Sequence, residues 1–298
     1  MAISPRRATE IKRMAECEGI ETAAARFGIS LESAHRYVRL ANQGLPVAKG
    51  GARILLFDIE TTPILAYTWG VWKQDIHPEF IVEHATILSY AAKWLGDDMV
   101  YFVRKGETDE AIVADLARLC DEADIVVAHN GRAFDTKRIW TRMAYWGIEP
   151  PVPYKIVDTC LVARKYFDFP HNSLKGLGRY LGLGDKEEHE GFGLWTKCMA
   201  GDESAWQRME RYNIQDVALL ESLYLRLRAW DRRHPSVALY HEDSAERCVC
   251  CGKATLKEMR EPARTNISEF AAYRCESCGK VMRSGSRAVR DTVMRPIL

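Results

Sequence analysis

The reading of this chain turns on Arg53-Ile54-Leu55-Leu56-Phe57-Asp58-Ile59-Glu60. Its apolar run, Ile54 to Ile59 interrupted by one aspartate, reads as a strand. Successive strand residues face opposite sides, so Asp58 and Glu60, two apart, point the same way. In Tyr212-Asn213-Ile214-Gln215-Asp216 the i, i+4 spacing within a helical pattern stacks phenol and carboxylate on one side. A further acid, Asp135, closes Asn130-Gly131-Arg132-Ala133-Phe134-Asp135 just before a helical stretch. Taken singly, each has an ordinary explanation: a solvated strand face, an exposed helical pair, a helix N-cap. Taken together, four buried carboxylates are costly unless a multivalent cation neutralises them, so their convergence predicts divalent metal ions.

Outward from that strand, the middle of the chain alternates strand and helix. Residues 87–94 and 99–104 read as strands, 108–122 as an amphipathic helix, 124–128 as a short buried strand and 136–146 as a helix stopped by Gly147. Residues 156–158, helical stretches up to Phe169 and from Ser173 to Leu181, and a long helix from Glu203 to Trp230 follow. Antiparallel strands first and βα units afterwards predict an α/β fold, a mixed sheet with helices on its faces. On the N-terminal side, residues 5–17, 21–27 and 31–42 read as three short helices broken at Gly19 and at Gly28-Ile29-Ser30. This is a helix-turn-helix pattern, with Ser30 as a cap and Glu32, Ser33, His35, Arg36 and Arg39 on the outward face. Such a face suits DNA, or equally a partner protein. The predicted organisation is a helix-turn-helix module at 1–44, a linker at 45–52, the α/β domain at 53–235 and a cysteine-rich module at 245–298.

With 298 residues, 47% apolar and 28% charged, the chain can build one sizeable domain plus small modules. No apolar stretch approaches membrane-spanning length and the start is basic and polar, so neither membrane nor secretion is expected and a cytoplasmic location is. A net charge of +1 conceals basic flanks, +3 over 1–51 and +5 over 245–298, around a centre of −7. An acidic centre acting on a polyanion needs bound cations or basic flanks to hold it. Five of the nine cysteines crowd the end, in Cys248-Val249-Cys250-Cys251-Gly252-Lys253 and Cys275-Glu276-Ser277-Cys278-Gly279-Lys280. Two C-x-x-C-G-K knuckles predict one structural Zn²⁺ on Cys248, Cys251, Cys275 and Cys278, as in a zinc ribbon; Cys250 is spare or competes with Cys248.

The segments Phe57 to Pro63, Asn130 to Asp135 and Tyr212 to Asp216 resemble, in order, the three motifs of the DEDDy class of DnaQ-like, ribonuclease H-fold 3′ to 5′ exonucleases. The wording is most similar to that of the exonuclease domains of family B DNA polymerases. Val157-Asp158-Thr159 and Asn172-Ser173-Leu174-Lys175-Gly176-Leu177 also resemble segments of that superfamily, and the likeness covers about residues 53 to 230. The resemblance implies a ribonuclease H-like sheet and hydrolysis of phosphodiester bonds with two Mg²⁺ or Mn²⁺ ions, releasing 5′-monophosphates. It implies that Asp58 bridges the ions, that Glu60 and Asp216 serve the one activating water, and that Asp135 serves the other. Tyr212 would orient or help deprotonate that water. Thr61, Thr62, Ile64 and Asn130 would touch the terminal nucleotides.

The expected partner is nucleic acid with a free 3′ end, single-stranded DNA foremost, with a protein partner possible through either flanking module. Aromatic Trp69, Trp72, Phe192 and Trp195 are either core or stacking platforms for unpaired bases. Two alternatives stand beside this reading. One is an exoribonuclease with the same core; the other is a non-catalytic nucleic-acid-binding adaptor.

Overall fold

The computed structural model describes residues 5–27, 31–42, 51–184, 191–241 and 245–287. The chain divides into two compact units, Met1–Ala52 with Leu225–Leu298, and Arg53–Tyr224. Among the described residues, no helix is long and apolar enough to cross a membrane.

The first segment forms three helices, α1 (Pro5–Glu18), α2 (Ile20–Phe27) and α3 (Leu31–Asn42). Gly19, at φ 87°, ends α1 in the left-handed region where a side chain would be strained. Ile11, Ala23, Ala24, Ala34 and Tyr37 form the buried contact of the three helices, the small alanines letting α2 approach closely. Ser30 and residues 43–50 lie outside the described residues, as do the side chains of Glu32, Ser33, Arg36 and Arg39, while His35 is exposed.

The second unit is built on β1 (Ile54–Thr61). A short excursion, β2 (Leu65–Ala66) paired with β3 (Ile81–Glu83), follows it and has no counterpart in the sequence pattern. Next come β4 (Ile87–Trp94), β5 (Tyr101–Arg104), α4 (Glu110–Glu122), β6 (Ile125–Ala128), α5 (Asp135–Trp146) and β7 (Lys155–Asp158). The sheet runs β5-β4-β1-β6-β7, antiparallel on the β4 side of β1 and parallel on the β6 side. That is the mixed α/β sheet expected. Helices α6 (Thr159–Tyr166), α7 (Leu174–Leu181), α8 (Phe192–Met199) and α9 (Glu203–Leu227) complete the order. Helix α6 stops three residues before the Phe169 expected, because Phe167 is extended and the chain runs toward Pro170.

Strand alternation decides where the acids go. Leu55, Phe57 and Ile59 pack with Ile112, Val113, Leu116, Ile139 and Met143 of α4 and α5. Asp58 and Glu60 therefore face the other way, to the side where Leu88 joins Leu194, Trp206, Met209 and Tyr212 of α8 and α9. Pairing of β1 with β4 passes from Glu60↔Ser89 to Thr61↔Ile87, skipping Leu88, so a bulge sits beside the acids. Lys93 of β4 pairs with Glu221, holding α9 over this face. Before α4, Asp109 does more than open a helix. Its carboxylate takes the Ile87 N–H at 2.9 Å, Arg142 Nε and Nη2 at 2.7 Å each and Trp146 Nε1 at 2.9 Å, tying β4 to α5. Burial works to raise its pKa, but Arg142, the Ile87 amide and Trp146 outweigh it and hold the carboxyl below its usual range.

The cysteine-rich segment adds β8 (Leu256–Glu258), the pair β9 (Ala263–Arg264) and β10 (Glu269–Phe270), then β11 (Ala272–Cys275) and β12 (Val281–Arg283). Strand β11 is central, antiparallel to both β8 and β12.

Candidate active site

Asp58 and Glu60 are half-buried on β1, and Asp135, the first residue of α5, is 3% exposed. Its Oδ1 accepts the Ile59 N–H at 3.2 Å, the amide between the two β1 acids, and the N-cap position of α5 falls to Phe134 instead. The ordinary reading of Asp135 as an N-cap therefore gives way to a position against the acidic strand. Burial, with the charge of Asp158 adding to it, pushes the Asp135 carboxyl up to about 7 despite the Ile59 amide.

The loop before Asp135 needs its particular residues. Asn130 sits at φ 64°, a left-handed position that asparagine tolerates better than most. At Gly131 any Cβ would lie 2.3 Å from the Ala128 Cβ. Asp158 secures the loop: Oδ1 accepts the Asn130 N–H at 2.9 Å and Oδ2 the Arg132 N–H at 3.2 Å. The same Oδ1 caps α6 through the Cys160 and Leu161 amides.

From the opposite side, α9 brings Tyr212 and Asp216, 8% and 1% exposed. The Tyr212 hydroxyl donates to Asp216. Burial first, then the charges of Glu60, Asp216 and Asp58, push the phenol far above its ordinary range, so at neutral pH it carries its proton. The ring is braced edge-on by Trp195, with centroids 6.2 Å apart.

Two residues unremarked in the sequence complete this corner. Asn213, next to Tyr212, and Ser89, the cross-strand partner of Glu60, are both fully buried. The signal for Asn213 lay inside the quoted Tyr212 to Asp216 segment, as a polar residue on the inward side of a helix, and Ser89 had none. The carboxylates do not crowd within 4.8 Å of one another as the cysteines described below do. A pair of ions about 4 Å apart needs its ligands spread over both, and hard carboxylate oxygens suit divalent cations.

A cleft of about 530 Å³ opens at Asp58, lined also by His129, Asn130, Arg164, His171 and Asn172. His129 is fixed within its wall, Nδ1 on Thr159 Oγ1 and Nε2 on the Asn172 carbonyl oxygen, both at 2.9 Å. Asn130 thus lies beside Asp58, and Ile64, half-exposed, lies past the strand end. Thr61 ends β1. Thr62 is buried at the strand junction: its N–H donates to the Thr86 carbonyl, and its hydroxyl takes the Thr86 N–H at 2.8 Å. Trp195 is core, whereas Trp69, Trp72 and Phe192 are exposed, Trp69 by 94%.

At the far end, Cys248, Cys251, Cys275 and Cys278 place their sulfurs within 4.8 Å of one another. The Cys248–Cys278 and Cys251–Cys275 sulfur pairs are 3.5 and 3.6 Å apart, near the roughly 3.8 Å edge of a tetrahedron with bonds of about 2.3 Å to zinc. The two knuckles repeat one design. Gly252 at φ 73° donates to the Cys248 carbonyl, and Gly279 at φ 77° to the Cys275 carbonyl. Burial works to raise the Cys275 thiol, but the Thr255 hydroxyl and the amides of Cys278 and Ser277 hold it down at about 6. Cys250 is buried outside this group of four, and its N–H donates to Cys248 Sγ at 3.4 Å. Four thiols so arranged can hold one metal ion.

The family model described as RNase_H superfamily matches residues 55–228, and the chain belongs to that superfamily. Members of that superfamily typically are nucleases that use divalent metals. Among solved structures, the chain is similar to the family B DNA polymerase from the hyperthermophilic archaeon Pyrobaculum calidifontis, at 16% identity and a TM-score of 0.47. That similarity covers 60% of this chain and 25% of the polymerase. No curated protein matches.

Proposed function

We propose that the chain is a divalent-metal-dependent 3′ to 5′ exonuclease of the DEDDy type, acting on single-stranded DNA and releasing 5′-monophosphates. The observation that carries this reading is the phenol of Tyr212 lying within the charge of Asp58, Glu60 and Asp216, with Asp135 bonded to the amide between the two β1 acids. The four carboxylates carried by β1, α5 and α9 would suit a pair of Mg²⁺ or Mn²⁺ ions, which when bound would activate water and stabilise the leaving 3′ oxygen. Asp58 and Glu60 would hold the ions from the strand, Asp216 from α9 and Asp135 from α5. Tyr212 would orient or help deprotonate the attacking water through its phenol oxygen, with Trp195 bracing the ring. Asn130, and the cleft beside Asp58, would seat the terminal nucleotide, with Thr61 and Ile64 at its edge.

The cysteine tetrad would hold one structural Zn²⁺ as a zinc ribbon, closed to substrate because all four positions are thiolates. We assign the three N-terminal helices to a helix-turn-helix that, like the ribbon, would bind nucleic acid or a partner protein. A cytoplasmic setting fits a nuclease whose cysteines serve as metal ligands. The test is a panel of matched DNA and RNA oligonucleotides, blocked at the 3′ or the 5′ end, incubated with Mg²⁺ or Mn²⁺. The proposal predicts stepwise shortening of DNA with a free 3′ end, lost in Asp58→Ala and Asp216→Ala. Digestion that proceeds from blocked 3′ ends, or that both variants retain, would refute it.

A further inference from the structure

Glu60 stands on the last regular position of β1, one residue before the bulge, on a long side chain with three rotatable bonds. Something must fix that side chain if its carboxylate is to meet an ion at one place. Asn213 is built to do so. It is fully buried, and its Oδ1 accepts the Ser89 hydroxyl at 2.8 Å while its Nδ2 donates to Glu60 Oε1 at 3.4 Å. Ser89 is fully buried and is the Cα partner of Glu60 across the β1–β4 ladder. The three residues therefore form one relay across β4, α9 and β1. The Glu60 carboxylate settles which end of the Asn213 amide faces which way, because it can only accept and so takes the NH₂ group, leaving Oδ1 for the Ser89 hydroxyl.

We infer that Asn213 is a positioning residue for divalent-metal binding, presenting Glu60 through a side-chain amide whose oxygen Ser89 anchors. This inference rests on the nuclease reading, which supplies the ions. Carboxylates that hold metals are themselves held by hydrogen bonds, and loss of such an outer partner typically costs about 10- to 100-fold in metal affinity or activity. A buried asparagine and serine that served packing alone would satisfy each other without the third bond to an acid on the opposing strand.

The relay can be removed without leaving a stranded polar group. In the Ser89→Ala/Asn213→Leu double variant both partners become apolar, a change that is close to neutral for folding. Mn²⁺ binding to the full-length, zinc-replete chain, followed by calorimetry and by the resonance of free Mn²⁺, reads the site without turnover. The inference predicts a Kd for Mn²⁺ raised by about 10- to 100-fold in the double variant, with the unfolding temperature near that of wild type. Ser89→Ala alone, which frees the amide to turn, should raise the Kd several-fold, and it carries the test if the double variant does not fold. Affinity within twofold of wild type in the folded variant would overturn the inference while leaving the nuclease reading intact. A wild-type chain that binds no Mn²⁺ would overturn both.

Discussion

Asp109→Ala should be among the most damaging single changes in the Arg53–Tyr224 unit. The carboxylate is 1% exposed and holds four hydrogen bonds, two of them to Arg142, which is itself 8% exposed. Truncation leaves a guanidinium buried without its counter-charge, a loss of about 3–5 kcal/mol, and strands the Ile87 and Trp146 N–H groups as well. At an m of roughly 2 kcal/mol/M, a loss of about 4 kcal/mol lowers the urea midpoint by about 2 M. The pH dependence has a definite sign. Because the folded carboxyl titrates below its unfolded value of 3.8, its contribution is present above that value and disappears as pH falls through the lower, folded pKa. Wild type should therefore lose more stability than the variant on acidification below about pH 4. Replacing both partners, in Asp109→Leu/Arg142→Leu, should restore the part of the loss due to the unpaired charge, while the Ile87 and Trp146 N–H groups stay without their acceptor. Equilibrium urea unfolding decides it: a cost under about 1 kcal/mol for Asp109→Ala, or a double variant no better than the single, would refute the reasoning.

Three further outcomes are expected. Tyr212→Phe keeps the ring against Trp195 but removes the hydroxyl, so kcat should fall by about 10²-fold while Mn²⁺ affinity stays within twofold, read by single-turnover digestion and calorimetry. Gly131→Ala forces the loop off Ala128 and should cost both stability and activity, with a loss in kcat of at least about tenfold, because the same loop delivers Asp135. Cys275→Ser should reduce bound zinc from about one equivalent to none by elemental analysis, since one missing thiolate opens the tetrahedron.

Much of this architecture was legible because its signals are local. The apolar run of β1 and its two acids at i, i+2 fix both strand and face, and the structure puts Leu55, Phe57 and Ile59 into the α4–α5 layer with the acids opposite. The knuckles around Gly252 and Gly279 were equally plain, since spacing alone sets a turn that gathers thiols. What escaped was non-local. The Asp109–Arg142 pair spans 33 residues and the Ser89–Asn213 bond 124, and no window along the chain contains either. The β2–β3 excursion was missed because its strands are two and three residues long, too short for a period to register. The bonds that tie Thr62 to Thr86 were hidden in the same way, since the two residues lie 24 apart.

The most direct measurement is anomalous diffraction from a crystal of the chain soaked in Mn²⁺. The account predicts two peaks roughly 4 Å apart, ligated between them by Asp58, Glu60, Asp135 and Asp216, with the Tyr212 hydroxyl facing the same space. Manganese elsewhere on the surface and none among these four carboxylates would contradict it.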